Sequence, residues 1–477
     1  MKKLLLSAIL LATATLALSA QEKEKEMKTG WSFGVLPTAT YSVDNGFQAG
    51  AFGDVYYYGD GSTYPDPLHK ISWEASYFTH SHRMRMYLAY DSKYLIPNMR
   101  VNASVTYVND PLYSFWGFNG PASVQDYDLW FNRNTGAGNH LNYYGMSRDM
   151  LRILANVQGQ IVPHLNWAAG VNFWRWTLGD MKDNGVKDGD SKQYYRNDIT
   201  LFNKYIDMGA ITPDEKNGGL ALEMNAGLVY DTRDMEAAPN RGIWAEAYLN
   251  GNVLQHPYLK ACAYFRHYIS IPIHIPAGEP VFAYRLAWQQ TIAGETPFYM
   301  IQNVPLLVQR NMISEGFGSS NTIRGLRENR ILSEGFAWVN TELRVKLVNF
   351  KLLNQYFYIA VNPFFDAGVI TKGYRSDKLQ GIITDENLVK FDYSAYKTYL
   401  QDPKKAKDLE RFNSVHNADY QGVIYDSSRL GNIVYSGGIG LKIAMNQNFI
   451  VSAEYAHCFY SPTVADPWIG IGINYQF

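Results

Sequence analysis

Three stretches of the sequence bring reactive or charged side chains close together. His80, Ser81 and His82, with Asp91 following in the next alternating segment, hold the residue types of a serine nucleophile and its base. Nucleophilic catalysis needs that base within hydrogen-bond reach of the hydroxyl and an oxyanion site opposite it. Successive side chains of an extended chain point to opposite faces, the stretch reads as a tight turn, and nothing nearby supplies an oxyanion site. No catalytic residue is therefore assigned, and the chain is not read as an enzyme. The second stretch, GDMKDNGVKDGD over residues 179–190, is rich in Asp and Gly but lacks the ligand spacing of an EF-hand. It reads as a solvated loop, and neither a metal nor another cofactor is expected. The third is SSNTIRGLRENR, residues 319–330, which carries Arg324, Arg327 and Arg330. Its chemistry is charge pairing: a guanidinium is a planar fork of donors able to bind more than one carboxylate. Whether any of the three does so depends on the wall around them.

That wall is written in alternation. In the last ten residues, WIGIGINYQF, Ile469, Ile471, Ile473, Tyr475 and Phe477 share one face, and Trp468, Gly470, Gly472, Asn474 and Gln476 the other. Strict period two over that length is a strand with one apolar and one mixed face. Sixteen such segments are expected, over 32–43, 46–58, 69–80, 83–95, 99–108, 141–162, 163–177, 218–232, 242–254, 258–274, 281–292, 334–348, 355–370, 433–445, 448–458 and 468–477. Several exceed the roughly 9–11 residues that cross a bilayer. Composition agrees: aromatics are 15% with 36 Tyr, Gly numbers 39, and charged residues are 18%, as suits a wall with aromatic girdles and crowded turns. The fold expected is all-β, a 16-stranded antiparallel transmembrane β-barrel over residues 32–477. A formal charge of −1 gives no case for nucleic acid. Cys262 and Cys458 each fall inside an alternating segment and form no disulfide framework.

Residues 1–20, MKKLLLSAILLATATLALSA, read as a signal peptide: Lys2 and Lys3, an apolar run from Leu4 to Leu18, and a small-residue cleavage site at Leu18-Ser19-Ala20. Export of Sec type to a Gram-negative outer membrane is expected, with residues 21–31 as a short periplasmic tail. Beyond Ala20 no apolar run is long enough for a transmembrane helix. If the first strand runs outward, the three longest connectors, 178–217, 293–333 and 371–432, all fall outside, where barrels carry their long loops. The connector 59–68 is long for an inner turn.

The arginine stretch lies in the sixth outer loop, between the eleventh and twelfth segments. In the twelfth, Ala337, Val339, Thr341, Leu343 and Val345 share the apolar face, which turns Glu342 into the lumen. In the thirteenth, parity turns Phe364, Asp366 and Gly368 inward. Two neighbouring strands thus present carboxylates to one interior, and a loop that dips inward could bring them an arginine. Alternation leaves open that the three arginines are solvated charges on an exposed loop.

Five motifs bear on that choice. They are Ile323-Arg324-Gly325-Leu326 after EGFGSSNT, FFDAG at Phe364 to Gly368, NTELR with Glu342, YDTRDMEAAPNRG at Tyr230 to Gly242, and FWGFNG at Phe115 to Gly120. In their order along the chain they resemble the BamA/TamA outer-membrane insertase superfamily, whose barrel is also called the bacterial surface antigen domain. The first is similar to the family's Val-Arg-Gly-Phe/Tyr loop motif, with Leu326 in place of the aromatic; in the last, Asn119 and Gly120 are exchanged in order. The resemblance spans nearly the whole mature chain. It implies that loop 6 folds into the lumen and is locked there by Arg324 on Glu342 and Asp366. Gly325 would allow the tight backbone course and Gly368 would leave room for the loop tip, whereas Arg327 and Arg330 would be ordinary loop charges. Tyr475 and Phe477 would form the C-terminal signal read by the barrel-assembly machinery.

The family's periplasmic POTRA domains have no counterpart here, nor does a Gly-x-Ser-x-Gly elbow, which implies a reduced, barrel-only branch. The function implied is assistance in inserting or translocating protein or lipid at the outer membrane, through the seam between first and last strands. The partners implied are outer-membrane lipid, the assembly machinery during biogenesis and a separate periplasmic subunit. The alternative is a passive outer-membrane channel gated by loop 6.

Overall fold

Alternating residues dominate the chain from Trp31 onward, and in the computed structural model they form sixteen antiparallel strands. The structure describes residues 28–64, 66–123, 144–181, 187–188, 191–192, 200–235, 238–273, 275–303, 316–318, 322–352, 355–379, 425–445, 449–460 and 468–473. In chain order the strands are β1 (Trp31–Ser42), β2 (Gly46–Tyr57), β3 (His69–Phe78), β4 (Met84–Ile96), β5 (Met99–Ser114), β6 (Gly145–Val162), β7 (Leu165–Gly179) and β8 (Leu220–Asp231). They continue as β9 (Gly242–Asn252), β10 (Tyr258–Ser270), β11 (Val281–Gly294), β12 (Gly335–Leu352), β13 (Gln355–Lys372), β14 (Val434–Met445), β15 (Phe449–Cys458) and β16 (Trp468–Ile473). Each pairs with its neighbours in sequence, and β16 pairs back onto β1, closing the barrel.

Side chains sort across this wall as alternation requires. On β8, Met224 and Leu228 are exposed while Glu223 and Asn225 are buried; on β14, Ile439, Leu441 and Ile443 are exposed while Lys442 is buried. Apolar outside and polar inside is the pattern of a barrel whose outer solvent is lipid, and closure leaves few backbone groups unpaired in that solvent. Among the described residues no helix is long and apolar enough to cross a membrane; the strands do the crossing.

Observed strands differ from expectation at their ends. β5 continues to Ser114, which lies opposite Gly145, and β12 continues to Leu352, which lies opposite Gln355. Backbone pairing there runs on past the last apolar residue that marked the strand in sequence. β1 begins at Trp31, the last residue assigned to the tail. The signal peptide over 1–20, residues 21–27 of the tail and most of the 371–432 connector lie outside the described residues.

The connectors that follow odd-numbered strands share one end of the barrel, and their described parts pack together. Phe115 and Phe118 after β5, Tyr205 in a short helix after β7, Phe298 after β11 and Tyr374 after β13 are all buried in one cluster. Their rings meet edge to face, with centroids 4.6 Å apart for Phe118 and Tyr374 and 5.5 Å for Phe115 and Tyr205. Asn119 ties three of these connectors by hydrogen bonds: its Nδ2 donates to the Tyr374 carbonyl at 2.8 Å, and its backbone N–H donates to the Leu332 carbonyl at 2.7 Å. These loops form a roof with an aromatic core of its own.

Candidate functional site

Beneath the roof, strands β12 to β15 turn a block of charge into the lumen. Pairing register sets Asn340 of β12 opposite Asp366 of β13, and Asp366 opposite Ser436 of β14. Glu342 lies one step further along β12, and Lys442 and Glu454 face the same interior from β14 and β15. Arg324 enters this block and is fully buried. Its Nε donates to Asp366 Oδ2 at 2.8 Å and its Nη2 to Asp366 Oδ1 at 2.8 Å, the two parallel bonds of a fork. Nη1 donates to Glu342 Oε2 at 3.0 Å and lies 3.5 Å from Glu454 Oε1. The backbone is held as well: Arg324 N–H donates to Asp366 Oδ2 at 3.0 Å, and the Ser436 hydroxyl donates to the Arg324 carbonyl. The guanidinium carbon stands 3.6 Å from the centroid of the Phe364 ring.

Glu342 is the hub of the block. Besides Arg324 it accepts from Arg344 Nε at 2.9 Å, Lys442 Nζ at 2.9 Å and Asn362 Nδ2 at 2.6 Å. Three cations, Arg324, Arg344 and Lys442, therefore meet three carboxylates, Glu342, Asp366 and Glu454. A buried charge survives only with such partners, so the block specifies one position for the loop more than it adds stability.

The flanking residues are apolar and equally enclosed. Ile323 and Leu326 are buried in a cluster with Phe317, Phe336 and Trp338. Leu326 thus packs where the resembled motif has an aromatic, and Phe317 lies tilted against Phe336 with centroids 3.8 Å apart. Gly325 has φ +94°, a left-handed conformation that side chains disfavour. Gly368 is a matter of space: a Cβ there would come within 2.6 Å of Phe336 Cζ and 2.7 Å of Ile323 Cδ1. Gly368→Ala is expected to destabilise the barrel by about 1–3 kcal/mol through overpacking. The readout is a lower transition temperature in heat-modifiable gel mobility; an unchanged transition would mean that the loop tip is not packed against β13.

The expectation for Arg327 and Arg330 is corrected. Both are buried rather than solvated. Arg330 donates to the carbonyls of Gly120 at 3.0 Å and Ser123 at 2.9 Å, and Arg327 Nη1 lies 3.5 Å from Asp44 Oδ1 in the β1–β2 hairpin. They lie inside because the roof and barrel wall enclose the loop, which its own sequence could not reveal.

A second charge cluster was not anticipated. Glu328 accepts from Arg83 Nη2 at 2.9 Å, Arg83 Nη1 at 3.3 Å and Asn45 Nδ2 at 2.6 Å, and its carbonyl accepts from Trp116 Nε1 at 3.0 Å. Arg83 also reaches Asp110 at 2.7 Å, and Arg148 reaches Asp110 at 3.2 Å. Burial alone would raise the Glu328 carboxyl, but the Arg83 and Arg148 guanidiniums outweigh it and hold the group below its ordinary value. Glu454 and Lys442 were legible by parity in their strands, and so was Arg83 at the head of the 83–95 segment; Glu328 sits in a loop, where no periodicity announces burial.

Other sequence candidates do not assemble. Asp91 is held by Arg100, at 2.9 Å from Nε and 2.8 Å from Nη2, and by Asn102 at 2.7 Å. The Ser81 hydroxyl accepts from the Arg83 backbone, and His82 Nδ1 meets the Tyr77 hydroxyl. Among the described residues no group of three or more His, Cys, Asp or Glu side chains is placed to hold a metal. Tyr475 and Phe477 lie outside the described residues.

No protein-family model and no curated protein sequence matches the chain. Solved structures do. CdiB from Escherichia coli matches over 95% of this chain and 64% of its own, with a TM-score of 0.50 and 8% identity. The chain has the fold of the CdiB barrel. BamA from Haemophilus ducreyi lacking POTRA domains 1–3 is matched over 94% of this chain and 70% of that one, with a TM-score of 0.49 and 12% identity. The CdiB likeness bears out the expected resemblance in fold, a closed outer-membrane-type barrel, while the chain spans 64% of the CdiB chain that it matches.

Proposed function

We propose that the barrel assists the insertion or translocation of protein or lipid at the outer membrane, working through the seam between β1 and β16. The observation that carries this reading is the likeness to the CdiB barrel together with a closing seam at which the first strand meets the last. β1 pairs with β2 from Trp31 opposite Tyr57 to Ser42 opposite Gly46, whereas its described pairs with β16 are Tyr41 with Ile471 and Ser42 with Gly470. Gly472 and Ile473 continue β16 and pair with β15. Opened at the seam, the stretch of β1 from Trp31 to Thr40 would present backbone donors and acceptors that can template an incoming strand. Phe33 on that stretch is 80% exposed. A separate periplasmic subunit would deliver the cargo, and export would follow the signal peptide.

A photo-cross-linking residue in place of Phe33 tests the reading in cells. It is expected to trap a protein or lipid adduct that the same residue in place of Leu228, exposed on the opposite side of the wall, does not trap. Identical adducts at both positions would reduce the contact at Phe33 to ordinary lipid exposure. A passive channel has less support, because the aromatic roof and the buried loop segment 322–334 occupy the long-loop end of the lumen. No catalytic residue enters the proposal.

A further inference from the structure

The loop that carries Arg324 binds both sides of the seam within five residues. Arg324 holds β12 and β13 through Glu342 and Asp366, and lies beside Glu454 of β15, the strand next to β16. Arg327 and Glu328 reach the hairpin between β1 and β2, through Asp44 at 3.5 Å and Asn45 at 2.6 Å. That hairpin directly follows Ser42, where the described pairing between β1 and β16 lies.

We infer that residues Arg324 to Glu328 form a clasp across the seam, anchored on the β12–β15 side and releasable on the β1–β2 side. The two grips differ in strength. The Arg324 grip is a bidentate fork with two backbone bonds, and breaking it would leave three buried carboxylates short of a cation. The hairpin grip is a neutral-donor bond from Asn45 and a looser ion pair from Asp44. When it breaks, the Glu328 carboxylate keeps Arg83, 2.9 Å away, so that carboxylate is not stranded. The hairpin can therefore leave the loop at small cost while the loop stays in place. This inference rests on the seam reading above and adds what holds the seam shut.

The experiment places cysteines at Thr40 and Gly472, which face each other if the register of Tyr41 with Ile471 is carried one step on. A Cβ at Gly472 would have only the Ser452 hydroxyl near it, at 3.5 Å, an ordinary contact. In the otherwise unaltered full chain, mild oxidation is expected to form the disulfide readily. In the Asp44→Ala/Asn45→Ala background its rate is expected to fall at least about threefold, as suits the loss of one ion pair and one charge-assisted hydrogen bond. Glu328→Gln should shift it in the same direction. A matched cysteine pair at Ala226 and Leu249, opposite one another on β8 and β9, should form at the same rate in every background. Heat-modifiable mobility certifies that each variant is a folded barrel, and the hairpin variant serves if Glu328→Gln does not fold. An unchanged rate at the seam overturns the clasp. So does failure of the disulfide in the unaltered background, because a clasp that works holds those strands together. No cargo enters this assay, so its failure leaves the insertion reading standing, and a missing adduct at Phe33 leaves the clasp standing.

Discussion

Arg324→Ala is expected to lower the thermal transition of the barrel more than any other single change proposed, by the equivalent of about 3–5 kcal/mol. The magnitude follows from what remains behind. Asp366 would lose both bonds of the fork, Glu342 one of its three cations, and Glu454 its neighbour at 3.5 Å, all away from solvent. Removing one member of a buried ion cluster costs far more than the cluster contributes as a whole, because the uncompensated charges must be solvated or protonated. Arg324→Lys should recover only part of the loss. An ammonium is a point donor that cannot reproduce two parallel bonds to Asp366 while also reaching Glu342. Purified variants compared by unboiled gel mobility over a temperature ramp would decide it. Equal transitions for the unaltered and alanine proteins would sink the claim that Arg324 fixes the loop.

Asn119→Ala is expected to loosen the roof while leaving the barrel wall intact. The Asn119 side chain accepts from Tyr374 N–H at 2.6 Å and donates to the Tyr374 carbonyl at 2.8 Å and the Tyr425 hydroxyl at 3.0 Å. Alanine would leave the Tyr374 backbone groups buried without partners, at about 1–3 kcal/mol for each group. The residue also has φ +62°, which asparagine tolerates better than alanine does. Asn119→Gly relieves the second term alone, so the pair of variants separates backbone strain from lost hydrogen bonds. The measurement is limited proteolysis of the outer loops on intact cells, with new cleavage expected in both variants and more in alanine. An unchanged cleavage map would mean that the aromatic core around Phe118 and Tyr205 holds the roof unaided.

The strands were legible because each carries a period of two against a lipid-facing side, and Ile439, Leu441 and Ile443 show the pattern at its plainest. Strand ends were less so: backbone pairing continues through residues such as Lys351 of β12, whose side chain is exposed and gives no alternation. Parity alone turned Glu342 and Asp366 inward, and the same parity would have found Glu454. Their meeting with Arg324 came from a resemblance rather than from spacing. Arg330 and Glu328 mark the limit of such reading. A loop has no period, so whether its charges meet water or other charges is decided by strands hundreds of residues away.

That distance has a bearing on the order of assembly. Arg324 lies 18 residues from Glu342 and 42 from Asp366, so its grip becomes available once β12 and β13 have paired. Glu328 lies 245 residues from Arg83 and 283 from Asn45. Closing spans of that length comes late, since the entropy of the intervening chain must first be spent on the strands between. The first grip records that the C-terminal hairpins exist; the second records that the circle is complete. Five residues of one loop thus register both the middle and the end of barrel formation.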